Sequence, residues 1–179
     1  DCEFTDDSVM TVAVAEALLS HKREDGAEAF KEKLIDSMHK WGHAYLNAGY
    51  GFRFGTWLLR RSREPYNSFG NGSAMRVSPC ALVAVSLEEA VELAAVSASV
   101  THNHPEGIKG AQATAAAIYL ARAGSTKTEI KAFIEENFQY DLSRTCDQIR
   151  PNYYHIESCQ ETVPEAITAF LEGESFEDV

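Results

Sequence analysis

Three oxygen-bearing side chains in a row, Thr5, Asp6 and Asp7, stand just ahead of an apolar-periodic run from Val9 to Leu19. A helix start stabilises a nearby carboxylate by about 0.3–1 kcal/mol through the helix dipole. Two adjacent carboxylates still repel each other unless positive charge lies between them. Hydroxyl and carboxylate oxygens are the donors that a hard divalent cation such as Mg²⁺ or Mn²⁺ takes. Alone, a Thr or Asp in this position is an ordinary helix cap. The chemistry therefore depends on what else in the chain converges on the triplet.

A second stretch, Ser68-Phe69-Gly70-Asn71-Gly72-Ser73-Ala74-Met75-Arg76, sets two glycines about Asn71. Glycine permits positive φ and lets backbone N–H groups approach a ligand closely. A helix starting straight after the loop would aim free N–H groups at phosphate oxygens, with Pro79 limiting or kinking it. An ordinary Asn-Gly turn is the competing reading. A third stretch, Thr101-His102-Asn103-His104-Pro105-Glu106-Gly107, falls at the junction of two expected helices. Its two histidines lack the third His or Cys that Zn²⁺ needs at ligand spacing. They read as caps, or as hydrogen-bonding groups facing a cleft. His21, His39, His43 and His155 form no constellation. His39 and His43, four residues apart without the Glu of a zinc-protease helix, read as surface. Tyr153 and Tyr154 read as core.

The elements that must position these stretches are helices. Helical spacing of apolar residues predicts helices over 7–21 and 27–45, and a shorter one at 56–61 in an otherwise loop-rich stretch, 49–72. Paired N-cap hydroxyls and acids three residues on predict further starts at Ser86 with Glu89, Thr126 with Glu129, and Thr162 with Glu165. Pro105 opens and Gly124 closes a long alanine-rich helix, whose small side chains suit a central position. Nothing alternates at period two, so no sheet is expected, and no internal repeat is present.

At 179 residues the chain fits one domain, 1–179, with 45% apolar residues and no window long enough to cross a bilayer. The net charge of −11 is expected to exclude nucleic acid and anionic membranes as partners. A phosphate-bearing small ligand remains compatible where metal ions or backbone N–H groups supply local positive charge. No signal peptide is visible. Cys2, Cys80, Cys146 and Cys159 lack CxxC spacing and read as reduced thiols of a cytoplasmic protein rather than a Cys146–Cys159 bridge. Ser175-Phe176-Glu177-Asp178 reads as an N-cap and first turn, and one turn is not a stable helix. The acidic triplet likewise opens the chain. Both ends are thus expected to belong to a piece of a longer domain.

In order and spacing, Phe4-Thr5-Asp6-Asp7-Ser8, Gly70 to Arg76, Thr101 to Gly107 and the run from Cys159 to Ala166 resemble the ADP-ribosylglycohydrolase family. Each motif is weak alone; the ordered set is specific. The resemblance implies an all-α, orthogonally packed multi-helix bundle, here truncated at both ends, around a two-metal site for Mg²⁺ or Mn²⁺. By this similarity Thr5, Asp6 and Asp7 would be metal ligands, with Asp6 and Asp7 catalytic. Ser68, Phe69, Gly70, Asn71 and Gly72 would contact the phosphates and ribose of ADP-ribose. His102, and more weakly His104, would contact ribose or phosphate. The implied reaction is metal-dependent hydrolysis of the glycosidic bond joining ADP-ribose to a modified side chain or small acceptor. An oxocarbenium-like transition state suits a carboxylate-rich site. The family's upstream Gly-Asp element and acid, and its Asp-x-Asp-Thr motif, have no match in this sequence. The expectation is therefore that these residues alone hydrolyse little or nothing. A non-catalytic ADP-ribose binder or a crystallin-like structural relative is the alternative. A Mg²⁺–diphosphate enzyme of the terpene-synthase type is discounted, because Met10 stands where that class needs an Asp.

Overall fold

A computed structural model describes residues 4–154 and 156–179; Cys2 and His155 lie outside them. Among the described residues the chain forms ten α-helices and two short 3₁₀ turns, with no strand. The single β-type contact among them is an isolated antiparallel bridge between Gly70 and Ser158.

Helix α1 (Asp6–Ser20) buries Val9, Met10, Ala13, Val14, Ala17 and Leu18. It packs along α2 (Gly26–Ala44), which buries Phe30, Leu34, Ile35 and Met38. Glu16, on the polar side of α1, accepts from Trp41 Nε1 at 2.9 Å and pairs with Lys40, so the two helices are also joined at their rim.

The loop-rich stretch holds α3 (Phe52–Leu59), four residues earlier than the expected start at Thr56. Thr56 cannot cap it, because its hydroxyl donates to Phe52 O within the helix. His39 is buried rather than on the surface. Its ring stacks on Trp57 at 4.2 Å between centroids, and its Nε2 lies 2.7 Å from Ser62 O. The aromatic face of α3, which periodicity on α2 alone does not show, accounts for the difference.

Helix α4 (Gly72–Met75) is one turn long, and α5 (Ser78–Val83) follows at once with Pro79 in its first turn. Pro79 thus starts a second helix instead of kinking the first. Helices α6 (Leu87–Ser99) and α7 (Pro105–Arg122) pack on each other more extensively than any other pair. The alanines of α7 serve two cores at once. Ala111 and Ala115 face the cluster built with α1, α2, α5 and α6, while Ala113, Ala116 and Ala117 face one built with α8 (Lys127–Phe138) and α10 (Cys159–Glu172). Small side chains on every face are what permit that sharing.

A short α9 (Cys146–Ile149) opens on a Thr145–Gln148 capping box that the acid-based pattern passes over. Helix α10 starts at Cys159 with Ser158 as N-cap, not at Thr162. The Thr162 hydroxyl donates backwards to Ser158 O at 2.6 Å, and Pro164 lies inside the helix. Tyr153 and Tyr154, read as core, are 55% and 68% exposed. They follow a 3₁₀ turn with no apolar face to pack on. Cys80, Cys146 and Cys159 are free thiols, so Cys146 and Cys159 are not bridged. Ser175 accepts from Asp178 N at 3.2 Å, which makes the expected capped turn.

At α8 the capping box is complete. Thr126 Oγ1 accepts from Glu129 N at 3.3 Å and Glu129 accepts from Thr126 N at 2.7 Å. Thr126→Ala is expected to cost ~1 kcal/mol, seen in urea denaturation as a lower midpoint with unchanged slope. An unchanged midpoint would show the box to be dispensable.

Candidate functional site

Thr5 is the N-cap residue of α1, yet its side chain caps no backbone N–H. The hydroxyl donates instead to Asp7 Oδ2 at 3.2 Å, so its oxygen stays among the carboxylates. Asp6 N donates to Ala48 O at 2.7 Å, which ties the start of α1 to the loop after α2. Asp7 is exposed and Asp6 partly buried. Burial holds the Asp6 carboxyl above the usual carboxylate range, and the charges of Asp7 and, more weakly, Glu157 add to the effect. Tyr50, just beyond Ala48, has its hydroxyl pushed up to about 12 by burial and by Asp6. Its Oη is buried without a hydrogen-bond partner among the described residues.

Glu157 is the acid that the sequence patterns do not single out. It reaches the site because the segment entering α10 pairs with the Asn71 loop. Asn71 N donates to Glu157 O at 2.6 Å and Cys159 N to Phe69 O at 2.9 Å. Only this tertiary pairing makes the residue visible as part of an acidic site.

The raised Asp6 carboxyl has a consequence for stability. Its folded-state pKa exceeds the unfolded one, so the folded chain binds more protons between the two values. Stability then falls as pH rises through that window, and the ionised carboxylate opposes folding at neutral pH. Asp6→Asn is therefore expected to stabilise the metal-free protein slightly at pH 7, with the gain shrinking as pH falls towards 3.8. Chemical denaturation at pH 7 and pH 3.5 checks the sign.

The glycines of the Asn71 loop are used for close approach, not for positive φ. Positive-φ glycines are Gly26, Gly49 and Gly124, with neither Gly70 nor Gly72 among them. A Cβ on Gly72 would lie 3.2 Å from His102 Nε2, and one on Gly70 3.3 Å from Ser68 Oγ and 3.4 Å from Glu157 O. Ser68 Oγ accepts from Gly70 N at 3.1 Å, which closes the turn. The Asn71 amide makes no capping bond. Phe69 is 46% exposed and meets His104 edge-on, with centroids 5.4 Å apart.

The third stretch underlies this loop. Asn103 Oδ1 accepts from Asn67 N at 2.8 Å, where Asn67 has a φ of 53°. His102 is buried, with Nδ1 2.8 Å from Thr101 Oγ1. Burial and the charges of Arg76 and Arg53 push it down to about 2, so its ring is neutral. His104 caps α7, its Nδ1 accepting from Glu106 N at 3.1 Å. The capping reading thus holds for His104.

The fold therefore brings Ser68 to Gly72, His102, His104 and the start of α10 together. It sets Asp6 within electrostatic reach of Glu157 at their edge. Thr5, Asp6 and Asp7 are hard-oxygen donors that suit Mg²⁺ or Mn²⁺ in kind. They are fewer than the six ligands of an octahedral ion, and no group of three or more His, Cys, Asp or Glu side chains converges among the described residues. A cleft of about 460 Å³ beside Asn71 runs between α4, α7 and α10. Its walls, including Ala117, Ile118, Ile167 and Phe170, are mainly apolar, and the two hydroxyls that also line it, Thr114 and Thr162, donate to Gly110 O and Ser158 O. Among the described residues no helix is long and apolar enough to cross a membrane.

The ADP-ribosylglycohydrolase family model matches residues 2–179. The Mus musculus protein "ADP-ribosylhydrolase ARH3" is 32% identical over 143 residues, covering 70% of this chain and 36% of its own length. The Homo sapiens protein of that name is 31% identical over 143 residues, covering 70% and 37%. The Gallus gallus protein is 31% identical over 148 residues, covering 74% and 38%. The chain thus spans little more than a third of the length of these relatives.

Proposed function

The chain belongs to the ADP-ribosylglycohydrolase family, and on that premise we propose that it forms the ligand-binding part of a metal-dependent ADP-ribosyl hydrolase. The observation that carries the reading is the convergence of the Asn71 loop and His102 beside an acidic helix start whose Thr5 hydroxyl is free of capping duty. Backbone N–H groups of the loop other than those of Gly70 and Asn71, which are spent on Ser68 Oγ and Glu157 O, would hold the diphosphate. Phe69 offers an exposed aromatic face, and Asn71 an uncommitted amide, to the rest of the ligand.

Thr5, Asp6 and Asp7 would hold Mg²⁺ or Mn²⁺, which when bound supplies the charge that orients ribose hydroxyls and polarises the bond to be cut. The carboxylates themselves favour positive charge developing at the anomeric carbon. Asp6 and Asp7 are the catalytic candidates. The Asp6 carboxyl is raised first by burial and then by the charge of Asp7, and a cation bound there would offset both. The substrate class is an ADP-ribosylated protein or small molecule, in a cytoplasmic setting.

Three oxygen donors do not complete a two-metal site, so these 179 residues are expected to bind without appreciable turnover. The test follows release of ADP-ribose from ADP-ribosyl-serine and ADP-ribosyl-arginine peptides. Little or none is expected from this chain, and turnover is expected once the family's further acidic motifs are joined to it. Full turnover by the 179 residues would overturn the division of labour. Inactivity of the longer chain as well would favour a non-catalytic or structural member of the fold.

A further inference from the structure

Arg76 is the most deeply buried charge among the described residues. It is fully buried, and the ionisable groups facing it are Tyr66, Cys80, Cys159 and His102, none of them a carboxylate. Burial lowers its guanidinium to about 10, which leaves it charged at neutral pH. A buried cation without an acid partner is costly unless its hydrogen bonds do something specific. Two of its bonds are made by Nη2, to Ser97 O at 2.7 Å and to Thr101 Oγ1 at 2.9 Å. Nε and Nη1 are buried without partners among the described residues.

The bond to Thr101 has a further consequence. A threonine hydroxyl has one proton to give and accepts through its lone pairs. With Arg76 donating into Oγ1, a lone pair is occupied and the oxygen sits beside a positive charge. The hydroxyl proton is then directed away from the guanidinium, towards the other partner of Oγ1, which is His102 Nδ1 at 2.8 Å. The opposite arrangement, with Nδ1–H donating to Oγ1, would bring two positive dipole ends onto one oxygen beside a cation. Bonds aligned in one direction reinforce each other. Arg53, whose guanidinium lies 4.9 Å from the Tyr66 ring, adds further positive potential at His102. Tyr66 itself lies 5.9 Å from the His102 ring.

We propose that Arg76 and Thr101 are positioning residues that fix His102 as the Nε2–H tautomer, so that it meets the ligand as a neutral hydrogen-bond donor. Nε2 faces the Gly70–Gly72 turn, 3.2 Å from where a Cβ on Gly72 would stand. A fixed N–H there can donate to a phosphate or ribose oxygen without taking up a proton. His102 is then neither the base nor the acid of the reaction, and acid–base work falls to the carboxylates. The proposal rests on the ligand reading given above, but the tautomer is a property of the free protein.

The test is ¹⁵N-detected NMR of the imidazole nitrogens in the ligand-free 179-residue chain from pH 5.5 to pH 8. The expected result is a pyridine-type Nδ1 and a protonated Nε2 that do not change with pH. Thr101→Ser keeps the hydroxyl and is expected to keep this signature. Thr101→Val has nearly the same shape and is expected to lose it, giving mixed tautomers. A protonated Nδ1 in the parent protein, or titration of His102 in this range, overturns the proposal. So does an unchanged signature in a folded Thr101→Val protein. The parent measurement decides even if that variant does not fold. ADP-ribose binding is read separately: failure to bind with the Nε2–H signature intact would refute the ligand reading and leave the relay standing.

Discussion

Replacing Gly107 with alanine is expected to destabilise the protein by ~1–2 kcal/mol and to weaken ADP-ribose binding with it. The added Cβ would stand 2.7 Å from Ser68 O and 3.0 Å from His102 O, both backbone atoms that cannot swing aside. Overpacking of this kind costs about 1–3 kcal/mol. Better helix propensity returns at most ~1 kcal/mol. Relieving the clash with Ser68 O moves the Asn71 loop away from α7, and relieving that with His102 O moves His102, so groups expected to hold the ligand are displaced. Gly55 is the internal control, because it also lies in a helix but a Cβ there meets nothing within 4 Å. Gly55→Ala is expected to gain up to ~1 kcal/mol. Urea midpoints for the two variants should therefore move in opposite directions; equal midpoints would contradict the packing account.

The second large effect is expected at the acidic triplet. Asp6→Asn and Asp7→Asn each remove a charge that would bind the cation directly. Loss of an outer partner of a metal ligand costs about 10–100-fold in affinity, and a direct ligand should cost at least the upper end of that range. Each variant is thus expected to lower Mg²⁺-supported ADP-ribose affinity by ~100-fold or more, measured by titration at fixed Mg²⁺. Asp6→Asn should at the same time be slightly more stable without metal, since the ionised carboxylate opposes folding. Opposite signs in affinity and stability separate a functional carboxylate from a structural one. Weakened binding accompanied by lost stability would point to a merely structural Asp6.

Much of the fold can be read from local pattern, and the exceptions share a cause. Helices α1, α2, α7 and α8 fall where periodicity and caps put them, because those signals are carried by the element itself. The start of α10 does not. Thr162 and Glu165 have the spacing of a cap, but Ser158 comes first and pairs with Glu161 at 2.7 Å. His39 is hidden by Trp57, a neighbour from another helix. At the site, the triplet, the Asn71 loop and His102 are legible as residue types. The use of Gly70 and Gly72 for proximity rather than positive φ is not, since the contacts they make room for come from distant residues, Glu157 at Gly70 and His102 at Gly72. Glu157 and the Arg76–Thr101–His102 chain exist only in three dimensions.

The central claim is that the Asn71 loop and the acidic start of α1 form one ligand site that a divalent cation completes. Calorimetric titration of ADP-ribose into the 179-residue protein, with Mg²⁺ and then with excess chelator, tests it most directly. The account predicts ADP-ribose binding that is strengthened by Mg²⁺, with the Mg²⁺ effect removed by Asp6→Asn. Binding of equal strength with and without Mg²⁺, or a Mg²⁺ effect that survives loss of the Asp6 charge, would contradict it.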